Sequence, residues 1–274
     1  MTAKESMTRL LSYARNDARF STPHHSESQR AEAKTELTSA ELVQNFELFD
    51  AATCAAITQQ VHKLRAHWVH RHPTAPFYTL GAAAYLDGDK LGAKHYQNEI
   101  VRTRELMAAN FGQLYETLLQ VLRSALGAEC GYHPNYGLPG FHIYQAHPLF
   151  EQRMGTVHVD GQFADTGGYG LTEVDLHRQY SMTLALRLPQ SGGGLKVWPI
   201  NGINLSGADS TRLAAVSQSK PKAVHHAYKV GSMALHSGAL IHQIAPMKQL
   251  QTGDERLTLQ AHTVWADGRW LVFW

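Results

Sequence analysis

The chain has 274 residues and a formal net charge of +2, with 43% hydrophobic and 18% charged residues. This is ordinary globular composition, which excludes a largely disordered chain. Lys and Arg are scattered along the sequence and form no basic cluster. We therefore expect the protein to bind a small molecule and not a nucleic acid.

The number of cysteines and the distribution of apolar residues indicate the cellular compartment of the protein. Cys54 and Cys130 are the only two cysteines, which is too few for a disulfide framework and favours a reducing environment. Residues 1–20 lack the apolar core of a signal peptide, and no apolar run approaches the length of a membrane span. We therefore expect a cytoplasmic protein without membrane contact.

The first half of the chain predicts helices outside a sheet. Residues 1–40 are polar and predict a loosely packed arm. Apolar spacing and turn residues then predict a helical flank over 41–130. Its elements are a helix over 51–70 capped by Asp50, short strands over 77–81 and 84–88, and a helix over 98–126 ended by Gly127.

The second half, 131–274, predicts a β core. Short runs separated by Gly and Pro favour an antiparallel sandwich or barrel over βαβ units. With the helices as a layer on one face, we expect a single domain over 1–274. The candidate strands are 140–146, 155–160, 180–188, 194–198, 223–228, 232–236, 241–246, 256–264 and 270–274.

A His-x-Asp pair opens this half. On a strand, residues i and i+2 project from one face, so His158 and Asp160 would aim at one point. His242 is the candidate third ligand, and two imidazoles with one carboxylate leave half the coordination sphere open, as non-haem Fe(II) sites do. His236 is its main competitor among seventeen histidines, but the Ser237-Gly238 turn places it at the end of the preceding strand.

Four ordered motifs make the chain resemble the Fe(II)- and 2-oxoglutarate-dependent oxygenases. They are His158-Val159-Asp160, the turn from Gly192 to Pro199, the run from His242 to Pro246, and Glu255-Arg256-Leu257-Thr258-Leu259. The resemblance implies a double-stranded β-helix, or jelly roll, that is mainly β with flanking helices. It also implies iron on His158, Asp160 and His242, with 2-oxoglutarate and O2 as cosubstrates.

Arg256 is the candidate for the distal carboxylate of 2-oxoglutarate, because a guanidinium binds a carboxylate bidentately and stays charged. Residues 256, 258, 260 and 262 are polar and alternate with apolar residues, as on a strand with a polar interior face. The spacing from His242 to Arg256 is longer than in many members of the family, so Arg187 is kept as the substitute. His142 and Tyr144, on a strand expected beside the metal motif, are further cosubstrate candidates.

The loop after the metal motif is a candidate substrate lid, because its glycines permit movement. An ordinary surface loop is the equal alternative. The lid candidates are Phe163, Asp165, Tyr169 and Arg178.

By the resemblance, the expected reaction is hydroxylation of an unactivated C–H bond in an amino acid or natural-product intermediate, releasing succinate and CO2. Related halogenases have a small residue in place of the carboxylate that Asp160 supplies here. Desaturation or cyclisation remains open. The alternatives are a cupin-like metal protein or a jelly-roll binding module that does not use 2-oxoglutarate.

Overall fold

The structure is a computed structural model that describes residues 38–88, 91–161, 171, 173–202, 213, 215–216, 218 and 222–274. Most of the predicted arm and most of the predicted lid lie outside these residues. Among the described residues, no helix has the length and apolar content needed to cross a bilayer.

The fully described α-helices include two long and two short ones. They are α1 (Ser39–Leu42), α2 (Ala51–Lys63), α3 (Ala93–Leu126) and α4 (Leu149–Gln152). Asp50 caps α2 as predicted, because its carboxylate accepts a hydrogen bond from the backbone N–H of Thr53. Helix α2 ends at Lys63 rather than His70, and α3 begins five residues before the predicted Asn98. Gly127, in the left-handed conformation, ends α3 as predicted.

The strands of the described residues form two sheets. They are β1 (Val43–Glu47), β2 (Val69–His70), β3 (Phe77–Leu80), β4 (Cys130–Tyr132), β5 (Gly140–Gln145), β6 (Val174–Arg187), β7 (Leu195–Asn201), β8 (Val224–His226), β9 (Ser232–Ser237), β10 (Leu240–Ile244), β11 (Glu255–Ala266) and β12 (Arg269–Phe273). A nine-stranded sheet runs β1-β9-β6-β11-β5-β3-β2, with β12 paired to β11 and β4, and a three-stranded sheet runs β10-β7-β8. Between these strands all pairs are antiparallel except β12 with β4.

The long helices cover one face of the large sheet. Leu257, Leu259 and Ala261 of β11 belong to one apolar cluster with Met107 and Leu118 of α3. The other face of β11 therefore carries Arg256 and the polar residues that follow it at intervals of two. A mainly β fold with a helical layer on one face is confirmed.

Two predicted strands are wrong. Residues 84–88 form a π-helical turn, closed where the carboxylate of Asp87 accepts from the N–H of Ala83 and pairs with Arg71. Residues 155–160 form only an isolated bridge between His158 and His242.

The expected neighbour of the metal motif is also wrong. Strand β5, with His142 and Tyr144, pairs with β11 and β3. The segment that contains His158 and Asp160 instead lies beside β10, in the other sheet.

Candidate active site

Backbone hydrogen bonds hold the His-x-Asp segment against β10. His158 and His242 exchange both N–H···O=C bonds, at 3.0 and 2.9 Å, and the N–H of Asp160 donates to the carbonyl of Gly238 at 2.9 Å. This extended segment brings His158 and Asp160 to the same side without a regular strand. His158 and Asp160 therefore share one side, as expected from their spacing, although the segment is held by an isolated bridge.

The structure brings together the three side chains predicted to bind metal. One potential ligand atom from each of His158, Asp160 and His242 lies within 4.8 Å of the other two. Nε2 of His242 is 3.2 Å and Nε2 of His158 is 3.7 Å from the nearer carboxylate oxygen of Asp160. Nitrogen and oxygen ligands on adjacent positions of a first-row metal, with bonds near 2.1 Å, are about 3 Å apart. The cluster therefore needs only a small adjustment to hold one ion.

Both histidines are oriented by the same backbone contact. Nδ1 of His158 lies 2.8 Å from the carbonyl oxygen of Thr156, and Nδ1 of His242 lies 2.8 Å from that of Leu240. A carbonyl only accepts, so Nδ1 carries the proton and donates in each ring. The lone pair of a neutral ring is then on Nε2, the atom that faces Asp160. Metal-binding histidines show this arrangement, in which the outer hydrogen bond fixes the tautomer.

The charges of the cluster are strongly coupled. Burial disfavours ionisation of Asp160, but His242 and His262 outweigh it and hold the pKa of that carboxyl well below its usual value. Burial, with the neighbouring His242, lowers the pKa of His158 to about 4. For His242, burial opposes protonation, but the Asp160 carboxylate outweighs it and raises the pKa above 6.5. A carboxylate facing two imidazoles is suited to a cation between them.

We expect metal affinity to fall with acidity, beginning above pH 6.5, because the pKa of His242 is raised from that value. A metal ligand must be deprotonated, so protons compete with the ion as pH falls through the pKa of His242. The dissociation constant for Co(II) should increase by about tenfold per pH unit below that pKa. Titrations between about pH 8 and pH 6 measure it, and a constant affinity across that range would contradict the assignment.

The competing histidine lies behind the cluster rather than in it. The ring of His236 packs edge-on against that of His242, with centroids 4.6 Å apart, and its Nδ1 lies 3.0 Å from the carbonyl oxygen of Ser237. Burial, with His242, lowers its pKa to about 3. His236 thus buttresses the ring of His242, and the group of potential ligands does not include it.

Arg256 is fully buried on the polar face of β11. Its Nε donates to the carbonyl of Gly193 at 2.7 Å, and Nη1 donates to the hydroxyl of Thr258 at 3.1 Å. Nη2 has no hydrogen-bond partner among the described residues, and no described carboxylate forms an ion pair with this guanidinium. Because a buried charge without a counter-ion is strongly unfavourable, this position calls for an anion. An incoming carboxylate fits the unpaired donor.

The glycine turn positions this arginine. Gly193, with φ +69°, supplies the carbonyl that Nε of Arg256 contacts. A Cβ on Gly192 would lie 2.3 Å from the carbonyl oxygen of Pro246, and one on Gly194 would lie 2.4 Å from that of His226. The turn therefore depends on the absence of side chains, and it provides close backbone approach as predicted.

The alternative arginine lies elsewhere. Arg187 is half-exposed, donates to the carbonyl of Gly253 at 2.9 Å and lies 3.6 Å from Glu255. It pairs in register with Leu257, whose side chain belongs to the helix-covered core. Arg187 therefore lies away from the polar face that carries Arg256.

Tyr144 and His142 lie on this polar face. Tyr144 pairs in register with Arg256, and the guanidinium carbon is 5.9 Å from the centre of its ring. His142 pairs with Thr258, and its Nε2 contacts the hydroxyl of Tyr85. Burial and the charge of Arg256 place the pKa of His142 well below its usual value, so this ring is neutral. Both cosubstrate candidates are thus next to Arg256.

The sequence reasoning missed several residues of this face. Their strand periodicity was readable, but their partners depend on register. Thr258 accepts from Nε2 of Gln260 at 2.9 Å, and Gln260 accepts from Thr183 at 3.0 Å. The guanidinium carbon of Arg256 also lies 5.4 Å from the ring centre of Tyr228. His262, which the strand alternation placed on this face, had no predicted role, and neither had Tyr85 or Ser181.

Of the four lid candidates, only Arg178 belongs to the residues that the structure describes. Phe163, Asp165 and Tyr169 lie outside the described residues. Arg178 is part of β6, and its guanidinium carbon lies 3.7 Å from the ring centre of Trp265. Trp265 packs against the helix-covered core, so Arg178 lies on a strand and not in the predicted loop. Strand β6 begins earlier than its apolar pattern suggests.

Comparisons with known proteins support the fold. The chain is similar to an N-substituted L-amino acid dioxygenase from Burkholderia ambifaria AMMD, with 14% identity, a TM-score of 0.51 and 84% of each chain covered. A structure of an enzyme of that name from the same organism, in complex with α-ketoglutarate, has 14% identity and a TM-score of 0.53, covering 85% of this chain and 86% of that chain. No family model and no curated protein matches the sequence. At this level of identity the likeness is one of fold: the chain shares the fold of these two dioxygenase structures.

Proposed function

We propose that the protein is an Fe(II)- and 2-oxoglutarate-dependent oxygenase that hydroxylates an unactivated C–H bond of a small molecule. The observation that carries this proposal is the buried, anion-free guanidinium of Arg256, on the strand face that leads to the His158, Asp160 and His242 cluster. A metal site alone would not need such an arginine. The proposed substrate is an amino acid or a natural-product intermediate. The proposed fold is a single jelly-roll domain.

The donor set fits the cofactors. His158, Asp160 and His242 would hold the ion on one side and leave the opposite side open, as the facial arrangement of two imidazoles and one carboxylate does. With iron and 2-oxoglutarate bound, O2 would be the oxidant: one of its oxygen atoms would enter succinate as CO2 is released, and the other would become the hydroxyl group formed at the C–H bond.

The chain's own residues bind and orient the cosubstrate. Arg256 pairs with the distal carboxylate of 2-oxoglutarate through Nη2, while Gly193 and Thr258 fix the plane of the guanidinium. Tyr144 covers the guanidinium from one side and excludes water, which strengthens the ion pair. Asp160 keeps the position that halogenating relatives leave for a halide, so hydroxylation is the proposed outcome.

The proposed function is tested with purified protein under anaerobic conditions. Addition of 2-oxoglutarate to the Fe(II)-loaded protein should produce a visible charge-transfer band, and a panel of amino acids in air should stimulate succinate formation. When succinate, the proposed product, is added in place of 2-oxoglutarate, it should neither produce the band nor support turnover. Metal binding without a band would favour a cupin-like metal protein, and absence of both would favour a binding module.

A further inference from the structure

Ser181 of β6 lies between a proposed metal ligand and an unassigned histidine. It is 5% exposed, and its register partner on β11 is His262. Its hydroxyl donates to Oδ2 of Asp160, and its Oγ lies 3.4 Å from Nδ1 of His262. The same Nδ1 is 3.6 Å from Oδ2 of Asp160. Ser181 therefore contacts both groups at once.

The number of hydrogens on Ser181 and His262 determines which of the two donates the hydrogen bond between them. A serine hydroxyl has one hydrogen, and here Asp160 accepts it. Oγ can then only accept from His262, so Nδ1 of His262 must carry a proton and donate. A neutral imidazole has a single N–H, which leaves a lone pair on Nε2.

The other edge of His262 is open. Within residues 255–264 of β11, only Gln260 and His262 are not fully buried, and the side chain of His262 is 14% exposed. Since Nδ1 faces Asp160 and Ser181, the accessible edge is the one that carries Nε2. The ring of Tyr85 lies 6.4 Å away, centre to centre. Nε2 thus lies on the accessible edge of a ring whose other nitrogen faces Asp160, one of the proposed metal ligands.

We propose that Ser181 is a positioning residue that fixes both the carboxylate of Asp160 and the tautomer of His262, so that Nε2 of His262 accepts a hydrogen bond from the substrate. The substrate should then carry an O–H or N–H group near the carbon that is oxidised. This proposal rests on the proposed function for the identity of the reaction. Its tests use neither 2-oxoglutarate nor turnover, so the two can fail separately.

The first test measures Co(II) binding to the Ser181→Ala protein. We expect its affinity to fall by about tenfold or more, since outer-shell partners of metal ligands contribute 10- to 100-fold. Thr183→Ala is the matched control, because Thr183 lies two residues along the same face and donates to Gln260 instead of Asp160. Equal affinities for the two folded variants would overturn the role of Ser181.

The second test reads the tautomer directly. ¹⁵N NMR of the Zn(II)-loaded wild-type protein, labelled at histidine and assigned with His262→Gln, should show the proton of His262 on Nδ1. In Ser181→Ala this preference should weaken. A wild-type ring protonated at Nε2 would overturn the proposal even if Ser181→Ala fails to fold.

Discussion

His242→Ala is expected to abolish Fe(II) binding and, with it, succinate formation. The substitution removes one of three ligand side chains, so the affinity should fall by more than the 10- to 100-fold typical of outer-shell partners. The dissociation constant for Fe(II), measured anaerobically, gives the result directly. The charge-transfer band with 2-oxoglutarate should disappear at metal concentrations that saturate the wild-type protein.

The matched control for that experiment is His236→Ala. His236 is as deeply buried as His242 and packs against its ring, so both substitutions remove an imidazole from the same region. His236→Ala should lower stability but leave a measurable metal site. If instead His242→Ala binds iron and His236→Ala does not, the ligand assignment is reversed.

Arg256→Ala is expected to weaken 2-oxoglutarate binding by about 100-fold or more, while Fe(II) binding is retained. Loss of one partner from a buried charge pair costs about 2–5 kcal/mol, and each 1.4 kcal/mol is about tenfold in affinity. Arg256→Lys keeps the charge but loses the fork geometry, so it should fall between wild type and Arg256→Ala. Titration of the charge-transfer band with 2-oxoglutarate measures all three.

Arg187→Ala serves as the control for the arginine experiment. Its half-exposed side chain lies 3.6 Å from the buried Glu255 and away from the polar face that carries Arg256. Its loss should therefore leave the affinity for 2-oxoglutarate within about twofold. A large loss in Arg187→Ala together with normal binding in Arg256→Ala would exchange the two roles.

The sequence predicted the metal cluster and Arg256 because both depend on local patterns. His158 and Asp160 are two residues apart, and the alternation along β11 separates Arg256 from the apolar residues that contact α3. The pairing of His158 with His242 also agrees with the expected return of the chain. These features need only strand periodicity and chain order.

Features that depend on distant partners were not predicted. The apolar look of 84–88 suggested a strand, but Asp87 pairs with Arg71, sixteen residues earlier, and closes a turn. The contact between Ser181 and His262 requires the register of β6 on β11, which single-strand periodicity does not determine. The same limitation led to the wrong neighbour for β5.

The π-helical turn over 84–88 connects a buried ion pair to the polar face of β11. Bidentate contacts at 2.6 and 2.9 Å tie Asp87 to Arg71, and the turn they secure delivers the phenol of Tyr85 to His142. Exchange of this ion pair could therefore change the surroundings of His142 without altering any of the proposed metal ligands. Among divergent proteins of this shape, variation in that short turn should track changes in preferred substrate.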